Sequence, residues 1–600
     1  MMTTIPIKYF EGYHRRWLFG LCLCLLSLPA SAQDTLQDLR NLEANGAEQL
    51  VLQLMDRQQP EAQGHLQQWT DWERERLRIY QQTGNWSALV ERTSRLPAGV
   101  DMDFLLWAKT ARAQALFELQ QYRESRDELR ALIWSSPTLS GEQNREWLPK
   151  WRRQVIETYL EQGLLTDTYT AEQRYQLDYG LLTETDRFMR ARILLLNNRI
   201  AEAVELLSKH TKDPQVGMLY LVAQLRSGER KPKKVLQAAF RQLRGKWVDE
   251  NLKYRLWAVI VEAARRSGDR HATINALEHL VALVKPQQLP AGLFKDMDAA
   301  GLWQAYTTEA EQLGNQHQLL IGDDKSWLDY AKKIDVKDHL KARALYAFLI
   351  LKGQQRDVVE QAAALFLKKT QAMPAAGTLL KRMFLENHYY KRPAQIPLSI
   401  RYKLVDIALQ DSDIPLASRL MTSMTKAPAD VSPFIWQLRR ARILLMGGNI
   451  RAGYQAMVKI LQENKKLTRK ALDHYLQVVF DLQTLQQHEE AVDLFNNVIA
   501  YSDDQALRRE VYFWMADSRK AEKKYISAAH WYLKSAILPG VKTMDPWAQA
   551  ARYQAAAVLA KAGLVEDAKK IYQDLLRVTE DKNRVAVLKR ELQHLRITTH

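Results

Sequence analysis

Along most of the chain, apolar residues return every three or four positions and charged or amide residues fill the gaps. That is the spacing of helices with one apolar stripe. One stretch shows how the stripes are arranged. Small residues stand at Ala113 and Ser125, large apolar ones at Leu116, Leu129 and Leu132, an aromatic at Tyr122, and Pro137 follows. The pattern predicts a helical hairpin. Each helix places a small residue where the two cross closely, larger side chains fill the space on either side, and the proline ends the second helix.

The same order recurs. It is carried by Ala191, Leu194, Asn198, Ile200, Ala203 and Leu207, with Pro214 beyond them, and by Ala441, Leu444, Gly448, Ile450, Gly453 and Met457. It returns in Val479, Leu482, His488, Ala491, Phe495 and Val498, then in Ala516, Tyr525, Ala528 and Tyr532 with Pro539 after them. A last copy holds Ala556, Leu559, Gly563, Val565, Ala568, Tyr572 and Leu575. The hexapeptide Arg190–Leu195 is repeated letter for letter as Arg440–Leu445 at the same place in its unit. These motifs resemble the tetratricopeptide repeat family. The resemblance implies an all-α fold: an α-solenoid of stacked antiparallel helical hairpins in two lobes, with first helices lining a concave groove suited to segments of partner proteins. Gly453, Ala491, Ala528 and Ala568 are 38, 37 and 40 residues apart. The standard repeat is about 34 residues long, so longer helices or connections are expected. Weaker units are expected around Gly84, Gly228, Gly268, Gly314 and Gly353.

The rhythm is interrupted at residues 285–300 and again at Tyr390–Pro397, where two prolines and polar residues predict a hinge. The expected organisation is therefore a leader at 1–32, an N-terminal lobe at 33–390, a C-terminal lobe at 391–585 and a polar capping helix at 586–600. Only 24 of the 600 residues are Gly and 18 are Pro, which favours a helical array over several turn-rich globules. A mean hydropathy of -0.38 with 46% hydrophobic residues is that of a folded, water-soluble chain.

Lys8, Arg15 and Arg16 precede the apolar run Trp17–Leu28, and Pro29 leads to Ala30, Ser31 and Ala32. This order reads as a secretory signal cleaved after Ala32, with a periplasmic product. Both cysteines, Cys22 and Cys24, fall inside it, so the processed chain would carry no thiol. The formal net charge of +17 drops to +15 without the leader. A surface so basic favours anionic partners by long-range attraction, although solubility alone accounts for such a charge. Export turns the choice of partner away from nucleic acid and toward envelope components.

Motifs for catalysis are missing. There is no His-Glu-x-x-His, no Gly-x-Ser-x-Gly and no phosphate-cradling loop, so no catalytic residue, metal or cofactor is expected. Asp323 or Asp324 is read as the cap of the helix that follows. His488 is read as a packing residue at the aromatic position of its repeat. Most of the 16 Trp and 24 Tyr, among them Trp107, Trp257, Trp436 and Trp514, are assigned to packing.

The family geometry places the residue after the small first-helix position on the groove. That nominates Arg192, Arg442 and Asp517 for partner contact, with Lys520 one turn further on. The expected function is a non-catalytic periplasmic scaffold for protein partners of a cell-envelope assembly, such as polysaccharide export, outer-membrane biogenesis or secretion. Two other readings are carried beside it. One is a peptidoglycan-associated relative of the superhelical part of soluble lytic transglycosylases. The other is a direct binder of anionic envelope glycan or lipid, peripheral to the membrane.

Overall fold

The computed structural model describes residues 35–181, 183–209, 213–245, 248–283, 289–290, 292–428, 431–464, 466–538 and 545–597. The expected leader, with its expected cleavage after Ala32, lies outside them. Among the described residues every regular element is helical. The described residues form two compact units, which divide between Asp186 and Arg187.

The first unit holds α1 (Leu36–Ala44), α2 (Glu48–Gln58), α3 (Leu66–Thr83), α4 (Trp86–Thr93), α5 (Met102–Glu118), α6 (Tyr122–Trp134), α7 (Gly141–Glu161) and α8 (Leu165–Tyr179). Each packs on the next, and α3 also touches α5.

The second unit follows with α9 (Glu184–Leu196), α10 (Ile200–Ser208), α11 (Pro214–Ser227), α12 (Pro232–Leu243), α13 (Glu250–Ser267), α14 (Arg270–Ala282), α15 (Ala299–Gln316), α16 (Asp324–Asp335), α17 (His339–Lys352), α18 (Arg356–Thr370) and α19 (Ala376–Phe384). The later helices are α20 (Leu398–Gln410), α21 (Ile414–Met421), α22 (Pro433–Met446), α23 (Ile450–Glu463), α24 (Arg469–Thr484), α25 (His488–Tyr501), α26 (Gln505–Ala521), α27 (Tyr525–Ala536), α28 (Pro546–Lys561), α29 (Val565–Val578) and α30 (Lys582–Ile597). Prolines open α11, α12, α22 and α28, the helix position where a missing N–H costs nothing.

One turn joins the hairpins. Among the described residues, in eleven of them the N–H just before the second helix returns to the carbonyl five residues back, as from Asn449 to Leu444 and from Gln487 to Leu482, at 2.8–3.2 Å. The residue between is left-handed, with φ from 57° to 83°. This is a Schellman ending, which satisfies carbonyls that the first helix leaves open. Glycine fills the left-handed position at Gly46, Gly84, Gly163, Gly268, Gly448 and Gly563, whereas Gln120, Asn198, Ser412, Gln486 and Lys523 fill it in the others.

The small residues stand where the helices cross. The Ser125 hydroxyl donates to the Ala113 carbonyl at 2.7 Å, which locks α6 onto α5. Ala203, Ala491, Ala528 and Ala568 are fully buried. The long repeat spacing has two sources. Helices α24, α25 and α26 run 16, 14 and 17 residues. The widest spacing, from Ala528 to Ala568, also spans the connection 537–545.

The alternation breaks in the middle of the second unit. Helix α15 packs on α17, and α19 folds back on α14 and α15. A buried polar knot binds this region: Glu278 of α14 accepts two hydrogen bonds from Arg343 of α17, at 2.8 and 2.7 Å, and one from the Tyr306 hydroxyl of α15 at 2.6 Å. Trp303 donates to the Met383 carbonyl at 2.9 Å and meets Phe384, Tyr389 and Tyr390 edge-on.

That aromatic cluster changes the reading of Tyr390–Pro397. The segment is packed inside the second unit, with Ile396 2% exposed and residues Pro393–Gln395 in one turn of 3-10 helix. The compact units divide at 186/187 instead of 390/391. The prolines mark a tight connection to α20, where the missing N–H groups need no partner. Beyond it lies a hairpin that the sequence reading passed over, α20–α21. Its turn residue is Ser412 and its buried small residue is Ala417, 36 positions before Gly453. Around Gly314, where a weaker unit was expected, α15 ends in a turn whose Leu319 N–H donates to the Gly314 carbonyl at 2.9 Å, with Gln318 in the left-handed position. Gly314 itself lies inside α15, where an added Cβ would come within 2.2 Å of the Trp327 ring. The terminal helix α30 begins at Lys582 and turns Leu588, Leu592 and Leu595 onto the core of α28 and α29.

Candidate interaction face

The first helices of the last repeats, α22, α24, α26, α28 and α30, share one side of the stack. The hairpin register aligns the residue after each small first-helix position: Arg442 after Ala441, Phe480 after Val479 and Asp517 after Ala516. Arg442 is about half exposed. Its Nε lies 2.8 Å from Asp481 Oδ2 and its Nη2 donates to Oδ1 at 3.1 Å. Lys520 Nζ donates to Gln554 Oε1 of α28 at 2.8 Å. Asp517 accepts from the Tyr532 hydroxyl of α27.

These contacts continue along the face. Gln483 Nε2 of α24 donates to Ser518 Oγ at 2.7 Å and to the Trp514 carbonyl of α26 at 3.0 Å. Arg584 of α30 donates to Gln549 Oε1 of α28 at 2.6 Å. Each first helix is thus tied to the next by a side-chain bridge. The first unit repeats the device, with Gln154 of α7 donating to Gln114 Oε1 of α5 at 3.0 Å.

Three of the four residues nominated for the groove are therefore engaged in bridges within or between repeats. Arg192 stands half-buried on α9, and its charge helps burial to depress the neighbouring Arg255 guanidinium on α13. Burial raises the Asp517 carboxyl above the usual range, and the Tyr532 hydroxyl and Lys520 oppose it. Asp481 is raised by burial in the same way, against the pull of Arg442.

The sequence reading missed one member of the row. Phe480 occupies the same repeat position as Arg442 and Asp517, and its ring meets Trp514 edge-on at 5.2 Å. Both rings are half-buried. Their apolar faces interrupt a row otherwise made of charges and amides. Alignment on Val479 would have found Phe480. Trp514, assigned to packing, contributes to the core and also to this surface.

Other sequence assignments fall as follows. Asp323 caps α16 by accepting from the Ser326 N–H at 3.3 Å. Asp324 accepts from the Gln354 and Gln355 N–H groups, at 2.6 Å each, just ahead of α18. His488 is half-buried at the start of α25, with Nε2 3.3 Å from Gln486 Oε1. Among the described residues, no group of three or more acidic, His or Cys side chains is placed to hold a metal ion, and no helix is long and apolar enough to cross a membrane.

The fold and this face together define a protein of stacked, tetratricopeptide-like helical hairpins. No protein-family model matches the chain, and no curated protein matches it. Solved structures that align with it include yeast Tom70, at 10% identity over 83% of this chain and 97% of that one, with a TM-score of 0.21. The Cut9-Hcn1 hetero-tetramer of APC/C aligns at 11% identity over 93% and 95%, with a TM-score of 0.25. The maize pentatricopeptide repeat protein PPR10 aligns at 12% identity over 92% of this chain and 73% of its own, with a TM-score of 0.24.

Proposed function

We propose that the chain is an exported, non-catalytic scaffold that takes a segment of a partner protein along the first-helix face of α22–α28. The observation that carries this reading is the Phe480–Trp514 pair, half-buried among polar bridges on that face. Two aromatic rings that bury much area with few rotors make an anchor, and the surrounding Arg442–Asp481 and Lys520–Gln554 bridges supply a polar rim. A partner side chain that exchanges with one of these bridges would read charge without opening the core. The leader ahead of Gln33 supports delivery to the periplasm, where envelope proteins are the partners at hand, and anionic glycan is the competing ligand.

Site-specific photocrosslinkers test the proposal in the intact envelope. A crosslinker at Arg442 or Lys520 is expected to capture a discrete protein, and Phe480→Ala with Trp514→Ala is expected to abolish capture. A crosslinker at Ile526, 67% exposed on a second helix, is the control. Equal capture from all three positions, or capture indifferent to the aromatic variants, would remove the assignment. N-terminal sequencing of the periplasmic fraction tests export independently, with Gln33 as the expected first residue.

A further inference from the structure

A cleft of about 730 Å³ opens between α18, the start of α20 and the segment after α21. Its volume falls within the range of small-molecule sites, roughly 300–1,000 Å³. One wall is Arg401, an arginine only 5% exposed. Its Nη1 donates to Ser423 Oγ at 2.7 Å, while its Nε is buried without a hydrogen-bond partner. Among the described residues no carboxylate lies within ion-pair distance of it.

A buried guanidinium in this state is unusual. It cannot shed its proton, and taking an unpaired charge out of water costs several kcal/mol in general. The nearest acid in the cleft is already engaged. Glu360 of α18 accepts from the Leu398 and Ser399 N–H groups, at 2.8 and 3.3 Å, and so caps the first turn of α20. Its field reaches Arg401 but makes no contact, and burial still depresses the guanidinium. Arg356 adds a second positive charge that Arg401 feels, and Lys426 is a third cation in the lining. Tyr402 closes one side, its hydroxyl fixed on the Lys426 carbonyl at 2.6 Å. Among the described residues, three cations thus surround a space whose only lining carboxylate is spent on a helix end.

We propose that this cleft is a binding site for an oxyanion-bearing ligand, a phosphate or carboxylate group, with Arg401 as the buried anchor and Arg356 and Lys426 as rim contacts. Charge-assisted hydrogen bonds from Arg401 to such a group would supply the compensation that the fold withholds. The site lies on different helices from the aromatic pair of the scaffold face and does not depend on that reading.

The test uses the full chain with inorganic phosphate in one arm and citrate in the other, each against chloride at matched ionic strength. Thermal melting and titration calorimetry are the readouts. Saturable binding with a rise in Tm is expected in at least one arm, and the arm that responds tells a tetrahedral from a planar group. Arg401→Met is expected to abolish that response while leaving the ligand-free protein at least as stable, because it removes the uncompensated charge. Arg356→Gln and Lys426→Gln, both at exposed positions, should each weaken binding roughly threefold to tenfold with an unchanged ligand-free Tm. Two results would overturn the proposal: neither anion binding better than chloride, or binding that survives in Arg401→Met.

Discussion

Gly453 of α23 lies against Leu445 of α22 so closely that a Cβ on it would come within 2.5 Å of the Leu445 Cγ and 3.1 Å of the Ala441 carbonyl oxygen. Alanine is the better helix former by about 1 kcal/mol, yet overpacking a tight crossing costs about 1–3 kcal/mol. Gly453→Ala is therefore expected to lower stability by about 1 kcal/mol, read as a drop in Tm of the second unit. An unchanged or higher Tm would mean that α22 and α23 can separate at no cost.

The hairpin turns make a complementary prediction. Gln486 and Lys523 hold φ of 60° and 62°, where a side chain with Cβ is strained. Replacing either by glycine should stabilise by about 0.5–1 kcal/mol, since the relief of left-handed strain exceeds the extra chain entropy. Gly448→Gln should do the reverse. Denaturant midpoints measured on the three variants check the pair of signs together.

At the irregular centre, Arg343 neutralises Glu278, which is fully buried. The contact holds the guanidinium protonated well beyond its ordinary range, against the opposing effect of burial. Arg343→Met alone strands a buried carboxylate and is expected to cost about 3–5 kcal/mol. Adding Glu278→Leu should recover most of that loss. If the double variant melts no higher than the single one, the knot contributes through shape and not through charge.

Asp517 gives a pH signature. Its raised carboxyl keeps a proton in the folded chain over a range where the unfolded chain, near the ordinary aspartate value of 3.8, has lost it. Folding then binds protons, so this residue's contribution to stability falls as pH climbs from 3.8 through the raised value. Asp517→Asn should remove that slope. The variant is expected to gain Tm over the natural chain at pH 7 and to gain little at pH 3.5. Equal gains at both values would rule out ionisation as the cause.

Much of this architecture was legible because it follows from local chemistry. Ala441, Gly453, Ala516 and Ala528 could be picked out because only small side chains fit at a helix crossing, and the apolar residues around them keep a helical period. The α20–α21 hairpin was harder to see. Its turn residue is Ser412, and in five hairpin turns among the described residues the left-handed position is not glycine, so a search guided by glycine passes over it. Gly314 shows a second use of glycine: it lies inside α15, where the Trp327 ring leaves no room for a Cβ, while Gln318 takes the left-handed position of the turn beyond it. Phe480 could have been found by alignment on Val479. The partners of Arg442, Asp517 and Lys520 could not, because each comes from another helix.

The sequence by itself determined that the chain is helical, that the helices pair as hairpins, and which residues stand at the crossings. Those choices are made within some forty residues, by periodicity and side-chain size. Tertiary structure alone decided where the stack divides, that α19 folds back onto α14 and α15, that the charges of Arg442 and Lys520 bridge neighbouring repeats, and that Arg401 is buried with no ion-pair partner among the described residues. Each of these depends on which helices meet across long stretches of chain, and no local pattern of apolar and polar residues encodes such a meeting.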